Sequence, residues 1–170
     1  MKRTLLILTM IISSKAMSQQ STIDAFLEKW QNSKAYLLEI AAAVPEDNYD
    51  FSPTEREMNI KEQLVHIRGN MIWLSTTYFT KTPADKAAIS INPGTKQELI
   101  DELTKSFDSV SDAIRATDPE TLDETVEFFA GPKSKLQILN LLQDHVTHHR
   151  GQLIVYLNLL EIKPPKYRGW

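Results

Sequence analysis

The sequence predicts an all-α protein, a four-helix bundle with long loops and a C-terminal tail packed on the bundle. Four segments repeat apolar residues at spacings of three and four, which is typical of helices with one buried face. Prolines stand at the ends of several of these segments, and one short stretch, residues 125–129, is typical of extended chain. A length of 170 residues suits one domain and is short for two.

The first 18 residues are typical of a secretory signal peptide. Lys2 and Arg3 precede an apolar run from Leu5 to Ile12, which is too short to span a bilayer. A small-residue stretch ends at Ser18, where we expect cleavage. The expected products are a signal peptide, 1–18, and a bundle domain, 19–170, that is exported to the periplasm or the extracellular space without stable membrane insertion. An N-terminal helix end or a membrane anchor is the alternative.

The composition excludes several kinds of ligand and partner. The chain has no cysteine, so neither disulfides nor thiolate ligands are available. Without residues 1–18 the chain has 16 basic and 22 acidic residues, a net charge of −6. Nucleic acid is an unsuitable partner, because phosphate binding needs a concentrated basic face and the sequence has none.

The first two predicted helices differ in their faces. Helix 1 covers about residues 21–43 and is stopped by Val44-Pro45, after which residues 45–58 form a turn-rich loop. Helix 2 covers about residues 59–80. Besides an apolar stripe it has a mostly polar one, which looks like the wall of a site and consists of Gln63, His66, Asn70, Trp73 and Thr77.

The third helix is predicted over about residues 95–117. Thr95 and Glu98 form a capping box at its start, and a single apolar stripe gives it a packing role. The connection from 118 to 133 includes the short extended piece at residues 125–129.

The fourth helix, about residues 134–161, places polar groups where a bundle ordinarily has leucine. Its inward seam consists of Ile138, Leu142, His145, His149, Gln152, Tyr156 and Leu159. Unsatisfied buried polar groups cost about 1 to 3 kcal/mol each, so this layer needs partners. Beyond it, prolines end the helix and the tail at 163–170, with Tyr167 and Trp170, is expected to pack on the body; a disordered tail is the alternative.

All four histidines lie in two predicted helices. His145 and His149 are four residues apart and project from one helix face, so they can bind one ion, and His66 would be the third ligand. His148 is also within reach, but His149 continues the seam. Amides near these rings, Gln63, Asn70 and Gln152, are candidates to orient them. The alternative is a set of core histidines that hydrogen bond to one another and to Gln152.

Two strings of the sequence resemble the DinB-like superfamily of four-helix bundles. They are DHVTHHRGQLIVYLNLLEIKPPKY, residues 144–167, and QLVHIRGNMIWL, residues 63–74. The resemblance implies that a histidine of the second helix and the HxxxH pair before RGQ bind a divalent metal. The residues carried over are His66, His145 and His149. Zinc is the first candidate, with nickel, manganese or iron as alternatives.

The resemblance also implies an activity. Members of that superfamily include metal-dependent hydrolases and thiol-dependent transferases or isomerases that use mycothiol or bacillithiol. An exported chain departs from the cytosolic setting of those thiols.

The first hypothesis is therefore a hydrolase of a small-molecule substrate, whose nucleophile is a hydroxide held by the three-histidine metal. Glu62, one turn before His66, is the candidate general base, although an ordinary exposed acid is the alternative.

Two rival functions remain open. The same metal could ionise the thiol of a cosubstrate in a transferase or isomerase, with Arg150 binding a substrate carboxylate unless it forms a structural ion pair. Otherwise the chain is a non-catalytic exported binding protein in which the metal only stabilises the bundle. A homodimer is compatible with each of these functions.

Overall fold

The computed structural model describes the backbone of residues 2–169 and the side chains of residues 20–169 other than 86 and 88. Within this range the chain forms five α-helices: α1 (Lys2–Ala43), α2 (Ile60–Phe79), α3 (Lys86–Ile89), α4 (Lys96–Arg115) and α5 (Lys135–Leu159). Two short strands, β1 (Thr125–Val126) and β2 (Lys133–Ser134), pair as an antiparallel hairpin. The predicted all-α class and four long helices are thus confirmed.

The four long helices pack as a bundle around one apolar core. Helix α2 contacts α4 and α5, and α1 contacts the same two helices. Trp30 lies at the centre of the core, fully buried, with its indole Nε1 donating to the Phe107 carbonyl oxygen over 3.1 Å. Its ring packs against Phe26 and Phe107 at centroid distances of 5.3 and 4.8 Å. The aromatic side chains of α1 and α4 thereby fix the contact between these helices.

Side-chain caps set where three of the helices begin. Thr95 and Glu98 form the predicted capping box at the start of α4. Asn59 with Glu62 and Ser134 with Gln137 form the same reciprocal pair at α2 and α5. Each cap satisfies backbone N–H groups that the helix leaves unpaired and contributes about 1 kcal/mol. The first residues of α2 and α5 are therefore well defined, which positions the histidines further along.

Several local expectations need correction. Helix α1 begins at Lys2, not near residue 21, so it includes the segment whose cleavage stays a prediction. Leu159, assigned to the inward seam, is 57% exposed because α5 ends there and the chain turns at Glu161 with φ of 58°. Helix α3 was not predicted; the Arg68 guanidinium donates from Nη1 to the Ile89 carbonyl and ties it to α2.

The C-terminal tail lies along α1, as expected. Lys29 Nζ donates to the Gly169 carbonyl oxygen over 2.5 Å, and Arg168 pairs with Glu39. The ring of Tyr167 packs edge-on against Tyr36 at 6.2 Å. Trp170, the other aromatic residue of the tail, lies outside the described residues.

Among the described residues, none of the helices combines enough length with enough apolar character to cross a bilayer.

Candidate metal centre

The rings of His66, His145 and His149 lie together between α2 and α5. One potential ligand atom from each residue lies within 4.8 Å of the other two. The ring centroids are 4.9 Å apart for His66 and His145, 4.7 Å for His66 and His149, and 4.5 Å for His145 and His149. The two helices run antiparallel here, since Gln63 lies beside Tyr156 and His66 lies beside His145. Residues 79 positions apart thus meet at one point.

The three histidines are exposed to different degrees. His149 is buried at 8% exposure, His145 is half-buried, and His66 is exposed. The cluster therefore has a closed side within the bundle, at His149, and an open side at His66. An arrangement with one open side is what a catalytic metal site requires, since a structural site has all its positions filled by protein.

Two amides fix the ring of His149. Its Nδ1 lies 2.5 Å from Gln63 Oε1 and 3.0 Å from Gln152 Oε1. Amide oxygens only accept, so the proton is on Nδ1 and the lone pair on Nε2 is free for a cation. Gln63 is held in turn by Tyr156, whose hydroxyl lies 3.4 Å from Gln63 Nε2 and donates to the Met58 carbonyl oxygen over 3.1 Å. These contacts link the backbone of the loop before α2, at Met58, to the ring of His149.

The other two rings face each other. Nε2 of His66 and Nε2 of His145 are 3.1 Å apart. Nitrogen ligands of a tetrahedral zinc ion, each about 2.0 to 2.1 Å from the metal, are about 3.3 Å from one another. Nδ1 of His145 is buried and accepts or donates no hydrogen bond among the described residues. Three neutral imidazoles with these separations fit a divalent cation that is bound through Nε2 of His66 and of His145.

Comparison with known proteins identifies the family. The model of the DinB family matches residues 17–169. The chain belongs to the DinB family. It is similar in structure to a DinB-like protein of Bacillus subtilis, with a TM-score of 0.70 and 18% identity over 85% of this chain and 97% of that one. A DinB-like protein of Bacillus cereus gives 0.69 and 18% over 85% and 96%. At this identity the similarity shows the fold alone, and no curated protein sequence matches the chain.

The charge state of the histidines in this DinB-family chain suits metal binding. Burial lowers the pKa of His145 to about 3, helped by repulsion from the other histidines, and lowers that of His149 to about 4, helped by His66 and His148. Burial also lowers the pKa of His66. All three rings are neutral at pH 7, and the neutral ring is the form that binds a metal.

The same shifts predict how the stability of the metal-free protein depends on pH. An unfolded histidine titrates near pH 6.5, so between pH 6.5 and about 4 the unfolded chain binds protons that the folded chain does not. With metal removed by a chelator, Tm is expected to fall as the pH is lowered from 6.5 to 4.5. The double variant His145→Leu, His149→Leu is expected to have a flatter profile in this window. An unchanged slope in that variant would mean that other groups cause the loss.

Other residues predicted at the site have different environments. Asn70 lies one turn beyond His66, and its Oδ1 is buried and accepts no hydrogen bond from a described residue, so its role in orienting a ring stays a prediction. His148 is exposed, with its ring edge-on to His149 at 4.9 Å, and lies outside the three-histidine group.

Among the described residues, Arg150 has no carboxylate partner for the ion pair that was its expected alternative. Its guanidinium is buried, lies over the ring of Tyr36 at 5.1 Å, and donates to the hydroxyls of Ser33 and Thr147. Burial lowers its pKa. Its position between α1 and α5 is that of a residue that joins helices.

A pocket opens beside the exposed face of His66. Its volume is about 740 Å³, and its lining includes Glu62, Val65 and His66 of α2 together with the loop before α2 and residues 91–92. Glu62 is exposed, and its Oε2 accepts from the backbone N–H of Asn59 over 2.8 Å as part of the helix cap. Its role as general base stays a prediction, and it is supported by the pocket that Glu62 and His66 both line.

Proposed function

We propose that this DinB-family protein is a metal-dependent hydrolase of small molecules, with His66, His145 and His149 holding a divalent cation. The observation that carries the proposal is the juxtaposition of three neutral imidazoles, one of which, that of His66, lines a pocket of about 740 Å³. Nitrogen donors without thiolates suit zinc first, with nickel, manganese and iron as alternatives. When bound, such a cation acts as a Lewis acid and makes water more acidic near neutral pH.

Other residues of the chain orient a ligand ring, accept a proton and limit the access of water. Gln63 and Gln152 hold the ring of His149 in the tautomer that leaves Nε2 free. Glu62 has one oxygen, Oε2, committed to the helix cap, while Oε1 accepts no hydrogen bond among the described residues and is free to accept a proton from water in the pocket. Burial at His149 keeps bulk water away from one side of the site, and the exposed His66 leaves the other side open to substrate.

Substitution of Glu62 by glutamine tests this assignment. Glutamine at the third helical position still completes a capping box, so folding is expected to be unaffected. Loss of a general base typically costs 10²- to 10⁴-fold, so kcat on a responsive ester or amide substrate is expected to fall about 100-fold or more, with metal content unchanged. Glu57→Gln is the matched control, since Glu57 lines the same pocket on the loop before α2.

A panel of esters, amides and thiol adducts, assayed with zinc, nickel, manganese and iron, provides the substrate for that test. Metal-dependent turnover of an ester or amide supports the proposal. Turnover that requires an added thiol would replace hydrolysis by thiol transfer. A chain that binds metal stoichiometrically and turns over nothing would be a binding protein.

We also propose that the protein is exported and that residues 1–18 are removed. The basic start and the short apolar run support this. Mass spectrometry of protein from a periplasmic or extracellular fraction is expected to give a chain beginning at Gln19. An intact N-terminus found only in the cytosolic fraction would contradict export.

A further inference from the structure

A group of three aromatic rings, two partly buried and one exposed, lies at the hairpin that precedes α5. Trp73 of α2 is stacked on Phe128 at 6.0 Å and lies 6.3 Å from Phe129, while the two phenylalanines are 4.3 Å apart. We name Trp73, Phe128 and Phe129 the aromatic shelf. Phe129 is 83% exposed, the highest exposure among the large apolar residues described. Folding of the chain does not account for this exposure, because burying a phenylalanine stabilises a protein and exposing one does not.

Hydrogen bonds hold the shelf in place. The Tyr78 hydroxyl donates to the Glu127 carbonyl oxygen over 3.2 Å, and β1 pairs with β2 on either side of the loop. Gly131 takes a φ of 88°, which a residue with a side chain rarely adopts, and Lys133 Nζ donates to the carbonyl oxygens of residues 130–132. The rings are thus presented by an ordered turn, which lowers the entropy cost of binding a ligand.

The shelf lies on the same face of α2 as the metal centre. His66, Asn70 and Trp73 follow the helical repeat, and Trp73 is two turns from His66, about 10 Å along the axis. The rings and the metal centre therefore flank one stretch of the α2 surface.

A polar group without a partner lies between them. Asn70 Oδ1 is buried and accepts no hydrogen bond from a described residue. A buried acceptor without a donor is costly, and a bound N–H or O–H group would satisfy it.

We propose that the substrate of this site carries a flat apolar group, aromatic in the simplest case, which stacks on the aromatic shelf while its reacting group lies at the three histidines. This inference rests on the proposed function, because it assigns a substrate class to the same metal centre. An anionic group is a poor occupant of the shelf, since the one ammonium described at this turn, that of Lys133, is already committed to three carbonyl oxygens.

Two metal-binding probes that differ only in a phenyl group test the proposal. Propanohydroxamic acid and 3-phenylpropanohydroxamic acid have the same chelating group, and calorimetry on the zinc-loaded protein measures the affinity of each. The phenyl group is expected to strengthen binding by about tenfold. Phe129→Ala is expected to abolish most of this gain and leave the affinity for propanohydroxamic acid unchanged. Tyr167→Ala is the matched control, because Tyr167 is also exposed, at 78%, but lies over α1.

The possible results distinguish a failure of the aromatic-shelf proposal from a failure of the proposed metal-dependent function. If the phenyl group strengthens binding equally in Phe129→Ala, or does not strengthen it in the unaltered protein, the proposed role of the aromatic shelf is wrong, and the proposed metal centre is unaffected. Failure of the protein to take up zinc, measured beforehand by elemental analysis, overturns the proposed function and the inference with it. A dimer that dissociates in Phe129→Ala, with the phenyl gain unchanged, shows that the rings form an interface between copies of the chain and also overturns the shelf.

Discussion

Substitution of His149 by alanine is expected to remove the metal. His149 is the buried member of the three, and its ring is held by two amides. Loss of a hydrogen-bonding partner of a ligand already costs 10- to 100-fold in affinity, and loss of the ligand itself is expected to cost more than about 100-fold. Elemental analysis of protein purified without a histidine tag is expected to change from about one ion per chain to background.

His148→Ala is the matched control for this experiment. His148 is the adjacent residue, equally a histidine of α5, but it is exposed and lies outside the three-histidine group. The control is expected to keep the full metal content. Equal metal in both variants, whether full or background, would contradict the assigned ligand set.

Substitution of Trp30 by alanine is expected to have the largest effect on stability. Trp30 is fully buried between Phe26 and Phe107, and its indole donates to the Phe107 carbonyl oxygen, so the substitution removes a hydrogen bond as well as the buried rings. Removal of a large buried aromatic side chain costs about 3 to 5 kcal/mol, through lost burial and the cavity left behind. Urea unfolding in the presence of a chelator measures this change without a contribution from metal.

Phe129→Ala provides the exposed counterpart. Its ring is 83% exposed, so its removal is expected to change the free energy of unfolding by less than about 0.5 kcal/mol. A loss below about 1 kcal/mol for Trp30→Ala would show that the contact between α1 and α4 does not depend on this side chain.

The helices and the HxxxH pair of α5 could be predicted because local patterns carry them, whereas His66 was joined to that pair through the polar stripe of helix 2 and the family resemblance. The apolar repeat of α2 and α5, and the placement of His145 and His149 in one seam, follow from the 3.6-residue period of a helix. The capping boxes at Asn59 and Ser134 are local patterns of the same kind, N-x-x-E and S-x-x-Q. They mark the helix starts to within a residue.

The remaining features depend on contacts between distant parts of the chain. Nothing local in Gln63 distinguishes an amide that holds His149 from one that faces solvent, because their contact joins residues 86 positions apart. The aromatic shelf likewise depends on how the hairpin packs against Trp73. Leu159 was misassigned because the seam pattern continues past the point where α5 stops. Tertiary packing decides such cases, and a periodic pattern alone does not.

The separation of the ligands along the chain has one more consequence. His66 and His145 are 79 positions apart, so a cation shared between them would close a long loop, as a disulfide does in proteins that have cysteine. Unlike a disulfide, this cross-link can be removed by a chelator or by acid without a change in the covalent structure of the chain. The packing of α2 against α5 would then depend on the metal concentration. When metal is scarce the two helices would be held less firmly, and a protease that cuts loosened helices would cleave the chain faster.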